Sequence, residues 1–373
     1  MDSRVAILRC EDYEKEKVFK AVHGVLGVLG GIGRFVKEGQ KVLLKPNMLS
    51  AKEPERGITT HPVILEAMIE EVRSVGGDVW IGDSPSGAIK GIKRYWDNTG
   101  YSEVSERTGV KLINFEVGGT VVREVGGEKY HLARAVFEAD VVINLPKFKT
   151  HGFALYTGAI KNLFGTIPGF QKATLHKLHP NSKSFSRVLV DIYSCVRARL
   201  HLMDGILGME GNGPATGDLR NTGLILASED GVAMDAVASH LMGFEENKID
   251  AIRFAGERGL GETRIEHIEI LGEKLDTVRF DDFSLPSNYR VNLVPQFLLR
   301  WLGRFVWVRP KADLEKCAGC GVCVRSCPVN AIQMVEGYPV TDHHICINCL
   351  CCNESCPEGA VVQQMSWIAR RLG

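Results

Sequence analysis

The residues best able to do chemistry in this chain are its cysteines. There are eleven in 373 residues, and nine of them fall between Cys317 and Cys356. Cys10 and Cys195 stand apart. The nine include two runs of identical spacing: Cys317-x2-Cys320-x2-Cys323-x3-Cys327-Pro328 and Cys346-x2-Cys349-x2-Cys352-x3-Cys356-Pro357. Thiolate is the soft ligand that suits iron–sulfur clusters. Short Cys-x2-Cys loops bring several thiolates, with inward backbone amides, around one inorganic cube. Two structural zinc sites are the competing reading, because zinc is satisfied by four ligands from two Cys-x2-Cys pairs. Zinc gives no reason for a third and fourth cysteine followed by proline in each run. The uneven clustering is unlike a secreted disulfide scaffold and points to metal in a reducing, cytoplasmic compartment. Cys351 is surplus to both runs and is expected to pack against the cysteine-rich segment.

The doubled run resembles the bacterial two-cluster ferredoxins, in which three cysteines of one run and the last of the other hold each cube. That resemblance implies one [4Fe–4S] cluster on Cys317, Cys320, Cys323 and Cys356. It implies a second on Cys346, Cys349, Cys352 and Cys327. Residues 317–358 carry Arg325 against Glu336, Asp342, Glu354 and Glu358. Acidic surroundings favour a low potential and a basic redox partner protein.

A second group of candidates lies far upstream. Residues 141–187 contain seven lysines and arginines, three histidines and no Asp or Glu. In a chain with 45 basic and 45 acidic residues that asymmetry should create a positive field able to hold a small anion. Lys147, Lys149 and His151 follow an apolar strand and are read as functional. For the lysines from Lys172 onward a solvated basic face is expected. Lysines set near other lysines acquire lowered pKa values and become candidate bases or nucleophiles, and histidine is the usual acid–base residue near neutrality. His151, Lys161 and Lys149 are therefore the catalytic candidates. Lys45, Asn47, His61, Asp83, Ser84, Lys147, Glu210 and Asn212 are the candidates for binding substrate.

The elements that must position these side chains alternate. Strand-like runs at Val5–Leu8, Lys41–Leu44, Asp78–Ile81, Lys111–Phe115 and Asp140–Leu145 are separated by helix-like segments at 14–36, 62–75 and 92–108. Such alternation predicts an α/β fold, an open and mostly parallel sheet with helices on both faces. Later strands are expected at Leu202–Met203, Leu224–Ala227 and Ile265–Leu271, and a small hairpin at 121–132. Open sheets of this kind bind ligands at the carboxyl ends of their strands. Lys45-Pro46-Asn47, Gly82–Gly87, Pro146–His151 and Asp204–Gly213 are all read as such ends. The expected domain plan is an α/β region over 1–290, a linker or docking helix over 291–312, and a small α+β two-cluster ferredoxin-like module over 313–373. Gln296–Val308 mixes aromatic and basic residues, which also allows contact with a membrane surface or a partner.

Zero net charge argues against a nucleic-acid binder. No run of about 18 apolar residues is present, so no transmembrane span is expected, and no signal segment is visible at the start. Walker A, dinucleotide-fingerprint and His-Glu-x2-His patterns are absent. Taken together, Leu44-Lys45-Pro46-Asn47, Thr59-Thr60-His61-Pro62, Gly82-Asp83-Ser84-Pro85, Asn144–Lys147, Lys149-Thr150-His151, Lys161-Asn162 and Asp204-Gly205 resemble the family called domain of unknown function 362. Members of that family often carry a ferredoxin module, and the resemblance implies no particular reaction. His151-x9-Lys161 with Pro168-Gly169 is also similar to the stretch of lactate racemases that carries a histidine and the lysine holding a nickel pincer cofactor. Thr60-His61 is faintly similar to another histidine motif of those enzymes. The rest of that pattern is not clear here, so this implies kinship of fold and site and no nickel cofactor.

The function expected from these residues is an oxygen-sensitive, cytoplasmic oxidoreductase. Electrons would pass through two [4Fe–4S] clusters to or from a small anionic substrate in the α/β domain. Cluster electrons come singly and most organic reductions need two. No flavin motif is visible, so any further cofactor is unassigned. Two alternatives stand beside this reading: an electron-transfer adaptor to a partner enzyme, and a non-redox isomerase or lyase with structural clusters.

Overall fold

The computed structural model describes residues 3–85, 91–169, 171–286, 289 and 307–367. The aromatic segment expected to dock the cysteine-rich module lies outside the described residues up to 306, as do Ser86 and Gly87.

One ten-stranded mixed sheet dominates the fold. Its members are β1 (Ser3–Arg9), β2 (Lys41–Pro46), β3 (Asp78–Asp83) and β4 (Lys111–Asn114), then, beyond a separate hairpin of β5 (Thr120–Val125) and β6 (Glu128–Ala133), β7 (Val141–Leu145), β8 (Lys147–His151), β9 (Leu155–Thr157), β10 (Leu200–Glu210), β11 (Asp218–Ser228) and β12 (Ile268–Gly272). The order across the sheet is β12-β1-β11-β10-β7-β2-β3-β4, with β8 and β9 attached beside β10. Strands β10, β7, β2, β3 and β4 are mutually parallel, while β11 runs antiparallel to both β1 and β10. From β2 the chain first builds outward through β3 to β4. It then returns to the other side of β2 for β7. The carboxyl ends of β2 and β7 thus flank a topological switch point, where open α/β sheets leave a crevice.

Period-two alternation explains why both faces are covered. In β2, Val42 and Leu44 face a core that includes Val18 and Val22 of the helix Lys15–Val28 and Ile64 and Leu65 of the helix Pro62–Ser74. Leu43, between them, faces the opposite core with Phe185 and Val188 of the helix Ser182–Cys195 and Val237 of the helix Gly231–Leu241. A strand buried on both sides reads as a continuous apolar run, as β2 and β7 do.

Several boundaries differ from the expectations. The helix expected over 14–36 stops at Val28, because Gly30 and Gly31 take φ of 101° and 80°, and resumes only as a short turn at Ile32–Arg34. The helix expected over 92–108 is two helices parted at Gly100, φ 76°. Lys147–His151, expected as a loop after a strand, is itself strand β8. Asp204 lies within the eleven-residue β10, whose pairing with β11 shifts register between Gly205 and Leu207.

The cysteine-rich module is small and internally repeated. Strand β13 (Val308–Ala312) pairs antiparallel with β16 (Val361–Met365), and β14 (Ile332–Val335) pairs with β15 (Tyr338–Thr341). Each cysteine run carries a one-turn helix, Val322–Arg325 or Cys351–Glu354. Each helix is entered through a left-handed residue, Gly321 at φ 67° and Leu350 at φ 62°. The turn lets the chain reverse between consecutive cysteines.

Candidate functional site

A cavity of about 540 Å³ opens at the switch point. Its floor comes from Lys45 at the end of β2 and Asn47 just after it, Asp83 at the end of β3 and Ser84 just after it, and Lys161 and Asn162 from the one-turn helix Ala159–Asn162. Lys172 and His176 reach it from the helix Gln171–Leu178. The facing wall belongs to the cysteine-rich module and includes Val322, Arg325, Cys351, Glu354 and Ser355. The cavity is therefore shared between the two halves of the chain.

The floor is organised by buried charge. Lys45 is 1% exposed and pairs with Asp83 at 2.8 Å, while its ammonium also donates to the Pro46 carbonyl. The same carboxylate accepts from the amides of Met48 and Ser84, so it fixes the loops after β2 and β3 together. Gly165 packs directly on this ion pair. A Cβ there would collide with Asp83 Oδ1 and stand 2.5 Å from Lys45 Nζ, which explains the glycine. Lys172 Nζ donates to the Ser84 hydroxyl and carbonyl, and Ser84 Oγ donates to Glu116. Burial lowers the Lys172 pKa to about 8, against the pull of Asp83 and Glu116. Burial also lowers Lys45, with Asp83 opposing.

Lys149 is held differently. Its ammonium is buried and donates to Asn47 Oδ1 (2.8 Å) and the Ile58 carbonyl (2.7 Å). Lysine has donors only, so this bond sets the orientation of a chain of amides. Asn47 Nδ2 donates to Asn162 Oδ1, Asn162 Nδ2 to Asn144 Oδ1, and Asn144 Nδ2 to the Ala159 carbonyl and His201 Nδ1. Burial and the nearby charge of Lys161 hold the Lys149 pKa well below its ordinary value. Lys149 lies behind Asn47 and does not line the cavity.

His151 is likewise one step removed. Its Nδ1 accepts from the amides of Phe153 and Ala154, which leaves the proton on Nε2, and Nε2 meets Glu354 Oε1 at 2.9 Å. Burial lowers its pKa to about 4. Burial works against ionisation of Glu354, but the charge of Lys161 and the His151 bond outweigh it and keep the carboxyl well below the usual range. The bond ties β8 to the module, and Asn353 Nδ2 donating to Thr216 Oγ1 at 3.0 Å is a second tie.

Four other candidates fall outside the cavity, each for a visible reason. Lys147 pairs with Asp204 at 2.8 Å and donates to Tyr13 Oη, which in turn donates to Asp204. His61 stacks on Tyr13 at 3.7 Å and caps the helix Pro62–Ser74, its Nδ1 accepting from the Val63 amide. These residues close a separate buried cluster. Glu210 accepts from the Ser284 amide and faces Arg220, and the Asn212 carbonyl accepts from Thr216. The residues brought together in the cavity are thus Lys45, Asn47, Asp83, Ser84 and Lys161. Sequence reasoning missed Lys172, read as part of a solvated face, His176, given no role of its own, and Glu354, read as part of the clusters' acidic surroundings. Lys172 and His176 are four apart on one helix face, which was the available signal.

Cysteines of the two runs come together in space. Cys317, Cys320, Cys323 and Cys356 line one small cavity. Burial raises the Cys323 thiol, with Cys356, Cys320 and Cys317 adding to the effect. Burial likewise raises Cys352, where Cys349, Cys346, Cys323 and Cys327 contribute. Backbone amides already point at sulfur: Ala331 N to Cys327 Sγ at 3.1 Å and Ala360 N to Cys356 Sγ at 3.2 Å. Among the described residues no three Cys, His, Asp or Glu side chains converge as a single metal ion would require. Crowded thiols with donated amides fit an iron–sulfur cube, whose positive charge would favour the thiolate forms. Cys351 is buried, contacts Cys349 and lines the large cavity.

Among the described residues no helix is long and apolar enough to cross a membrane. Residues 310–333 match a 4Fe-4S binding domain, so the protein is an iron–sulfur protein. A 30-residue stretch is 57% identical to the L-aspartate semialdehyde sulfurtransferase iron-sulfur subunit of Methanocaldococcus jannaschii, covering 8% of this chain and 23% of that protein. A solved structure of lactate racemase apoprotein from Thermoanaerobacterium thermosaccharolyticum is similar at a TM-score of 0.41 and 10% identity, over 65% of this chain and 57% of that one. A thylakoid-associated protein of Synechocystis is 34% identical over 289 residues, which is 77% of this chain and 89% of that protein. Residues 42–240, which supply the switch-point strands and every cavity-floor residue, match the domain of unknown function DUF362, and the chain belongs to that family.

Proposed function

We propose that the protein is an oxidoreductase in which two [4Fe–4S] clusters exchange electrons with a small anionic molecule. The observation that carries this reading is the shared cavity. Its wall includes Cys351, Glu354 and Ser355, flanked in sequence by Cys352 and Cys356, and its floor is the positive strand-end site. One cube is assigned to Cys317, Cys320, Cys323 and Cys356, the other to Cys346, Cys349, Cys352 and Cys327. When bound, the clusters supply single electrons at the edge of the cavity. Lys161 holds the anion. Lys172, with a pKa lowered to about 8, can hold or release a proton at its Nζ. His151 acts on the ligand only through Glu354. The protein works as an α/β unit over 1–290 and a cluster module over 313–373, joined by 291–312, in a reducing cytoplasm. Its Synechocystis relative is named for association with thylakoids, and a peripheral contact would accommodate that here.

The test is anaerobic EPR of dithionite-reduced protein mixed with fractionated small metabolites. An anionic fraction should reoxidise wild-type protein and fail with Lys161→Gln. If only macromolecular fractions accept electrons, the adaptor reading replaces this one. That second reading has its own support: Val335, Val340 and Ile345 are about half exposed on the module, as a docking surface for a redox partner would be.

A further inference from the structure

The cavity carries its cations at two levels. Lys161 is at the inner level. Its charge acts on Lys45, Lys149, His151, His176 and Glu354, so it sits at the hub of the buried groups. Among the described residues its ammonium has no hydrogen bond or ion pair of its own. Its neighbours do: Lys45 is balanced by Asp83, and Lys172 is bound to Ser84. Lys172 has Glu116 beyond Ser84 to answer its charge, whereas the Lys161 ammonium lines the cavity with no such direct partner among the described residues. Two more polar atoms lining the cavity, Ser50 Oγ and His176 Nδ1, are buried without a partner among the described residues. Both residues are at most 5% exposed. Buried polar groups are normally satisfied, so the donors and acceptors of a bound molecule are what this wall lacks.

The outer level is built from both halves of the protein. Arg94 comes from the helix Ile92–Asn98 of the α/β unit and Arg325 from the helix Val322–Arg325 of the cluster module. Both line the cavity and both are exposed. Among the described residues neither pairs with a carboxylate, and Arg325 reaches only the Cys320 carbonyl, at 3.3 Å. The charges that act most strongly on Lys45, His151 and Glu354 come from buried neighbours and from Lys161, not from these arginines. A single anionic group can therefore answer one level and not the other.

We propose that this cavity binds an organic dianion with two separated acidic groups, one seated on Lys161 and the other held between Arg94 and Arg325. The inner group is a carboxylate. The outer is a carboxylate or a phosphate, either of which suits the planar guanidinium fork. His176 and Ser50 hydrogen-bond the body between them. The inference rests on the reading of the cavity as the substrate site.

The test is anaerobic titration calorimetry on the full-length, cluster-loaded protein. The probes are glutarate, 3-phosphoglycerate (two acidic groups, the phosphate carrying about −1.5 to −2 near neutral pH) and, as a monoanion of similar length, butyrate. At least one dianion should bind about tenfold or more tightly than butyrate, as expected for one added charge-assisted contact. Which dianion binds better decides between carboxylate and phosphate at the mouth. Arg94→Ala and Arg325→Ala should each remove about tenfold of the dianion's affinity and leave butyrate unchanged, and Lys161→Gln should weaken all three. Equal binding of butyrate and the dianions, no binding of either dianion, or arginine variants that bind dianions as wild type does would each overturn the proposal. If a dianion binds through the arginines but never reoxidises the reduced clusters, the binding inference stands and the oxidoreductase reading falls.

Discussion

Replacing His151 by alanine should detach the cluster module from the sheet at one defined point. The imidazole does two jobs there: Nε2 donates to Glu354, and Nδ1 accepts the amides of Phe153 and Ala154. Loss of a hydrogen bond to a charged group costs about 1.5–3 kcal/mol, and each buried amide left unpaired about 1–3 kcal/mol more. Partial relaxation brings the expected total for His151→Ala to roughly 4 kcal/mol, a large share of a typical domain's stability. Glu354→Gln keeps an acceptor for Nε2–H while removing the charge that faces Lys161, so it should cost only about 1–2 kcal/mol. The specific quantity is the coupling between the two sites. A double-mutant cycle of His151→Ala with Glu354→Ala, which removes the acceptor as glutamine does not, read from anaerobic urea unfolding by cluster absorbance and by far-ultraviolet circular dichroism, should give about 1–3 kcal/mol. The cluster signal should be lost at lower urea than the helix signal in His151→Ala. A coupling within about 0.5 kcal/mol of zero would refute the reasoning, since it would mean that the bond contributes nothing to docking.

Acid should unfold the protein early. His151, His176 and His201 are fully buried with pKa values lowered by burial to about 4, 3 and 3 and are neutral in the folded state, so the unfolded chain binds their protons first as pH falls below about 6.5. Stability is then fully present above that value and is lost at about 1.4 kcal/mol per pH unit per histidine. Asp235, raised by burial to about 7, works in the opposite sense, which leaves a net slope of roughly 3 kcal/mol per pH unit below about pH 6; ring signals of these three histidines titrating near 6.5 in the folded protein would contradict this. Gly165→Ala should destabilise the fold, because the new atom meets the buried Lys45–Asp83 pair; a cost under about 1 kcal/mol in thermal unfolding would show that the pair has slack. Cys351→Ser should leave the iron content and the EPR spin count unchanged, and loss of either cluster would make Cys351 a ligand.

The sheet and the module were legible because their signals are local. Apolar runs at 42–44 and 141–145, and cysteines spaced by two and three residues, each dictate what happens within a few residues. Lys45 and Asp83 could be placed in the site for the same reason, since each ends a parallel strand next to the switch point. Lys147 and His61 have equally suggestive neighbours, yet a tyrosine at position 13 and an aspartate at 204 draw them into a different cluster. Nothing short of the fold reveals which buried carboxylate will neutralise which lysine. The stretch from 141 to 187 contains no acid, which suggested a solvated face from Lys172 onward. Lys172 is buried because its acceptor, Ser84, comes from the end of β3, 88 residues away. Helix ends at Val28 and Asn98 were misjudged where a glycine with positive φ overrode an otherwise continuous apolar pattern.

The shared cavity also changes which experiment can separate a redox role for the clusters from a structural one. Removing the module would take away Glu354, Arg325 and Ser355 together and expose Lys161 and Lys172 to water. Ligand binding would then fail whether or not electrons are involved, so truncation cannot decide the matter. A substitution that perturbs one cluster and spares the cavity wall can. Cys320 is exposed and does not line the large cavity, and the hydrogen bond from Arg325 goes to its backbone carbonyl, which serine retains. Serine at 320 supplies a harder oxygen ligand and should alter the potential or occupancy of the cube assigned to that cysteine. If the clusters carry electrons to the bound molecule, Cys320→Ser should bind that molecule with unchanged affinity in calorimetry yet reoxidise at a clearly different rate in anaerobic EPR. Equal turnover of a bound substrate by Cys320→Ser and wild type, with the cluster signal visibly altered, would assign the clusters a structural role instead.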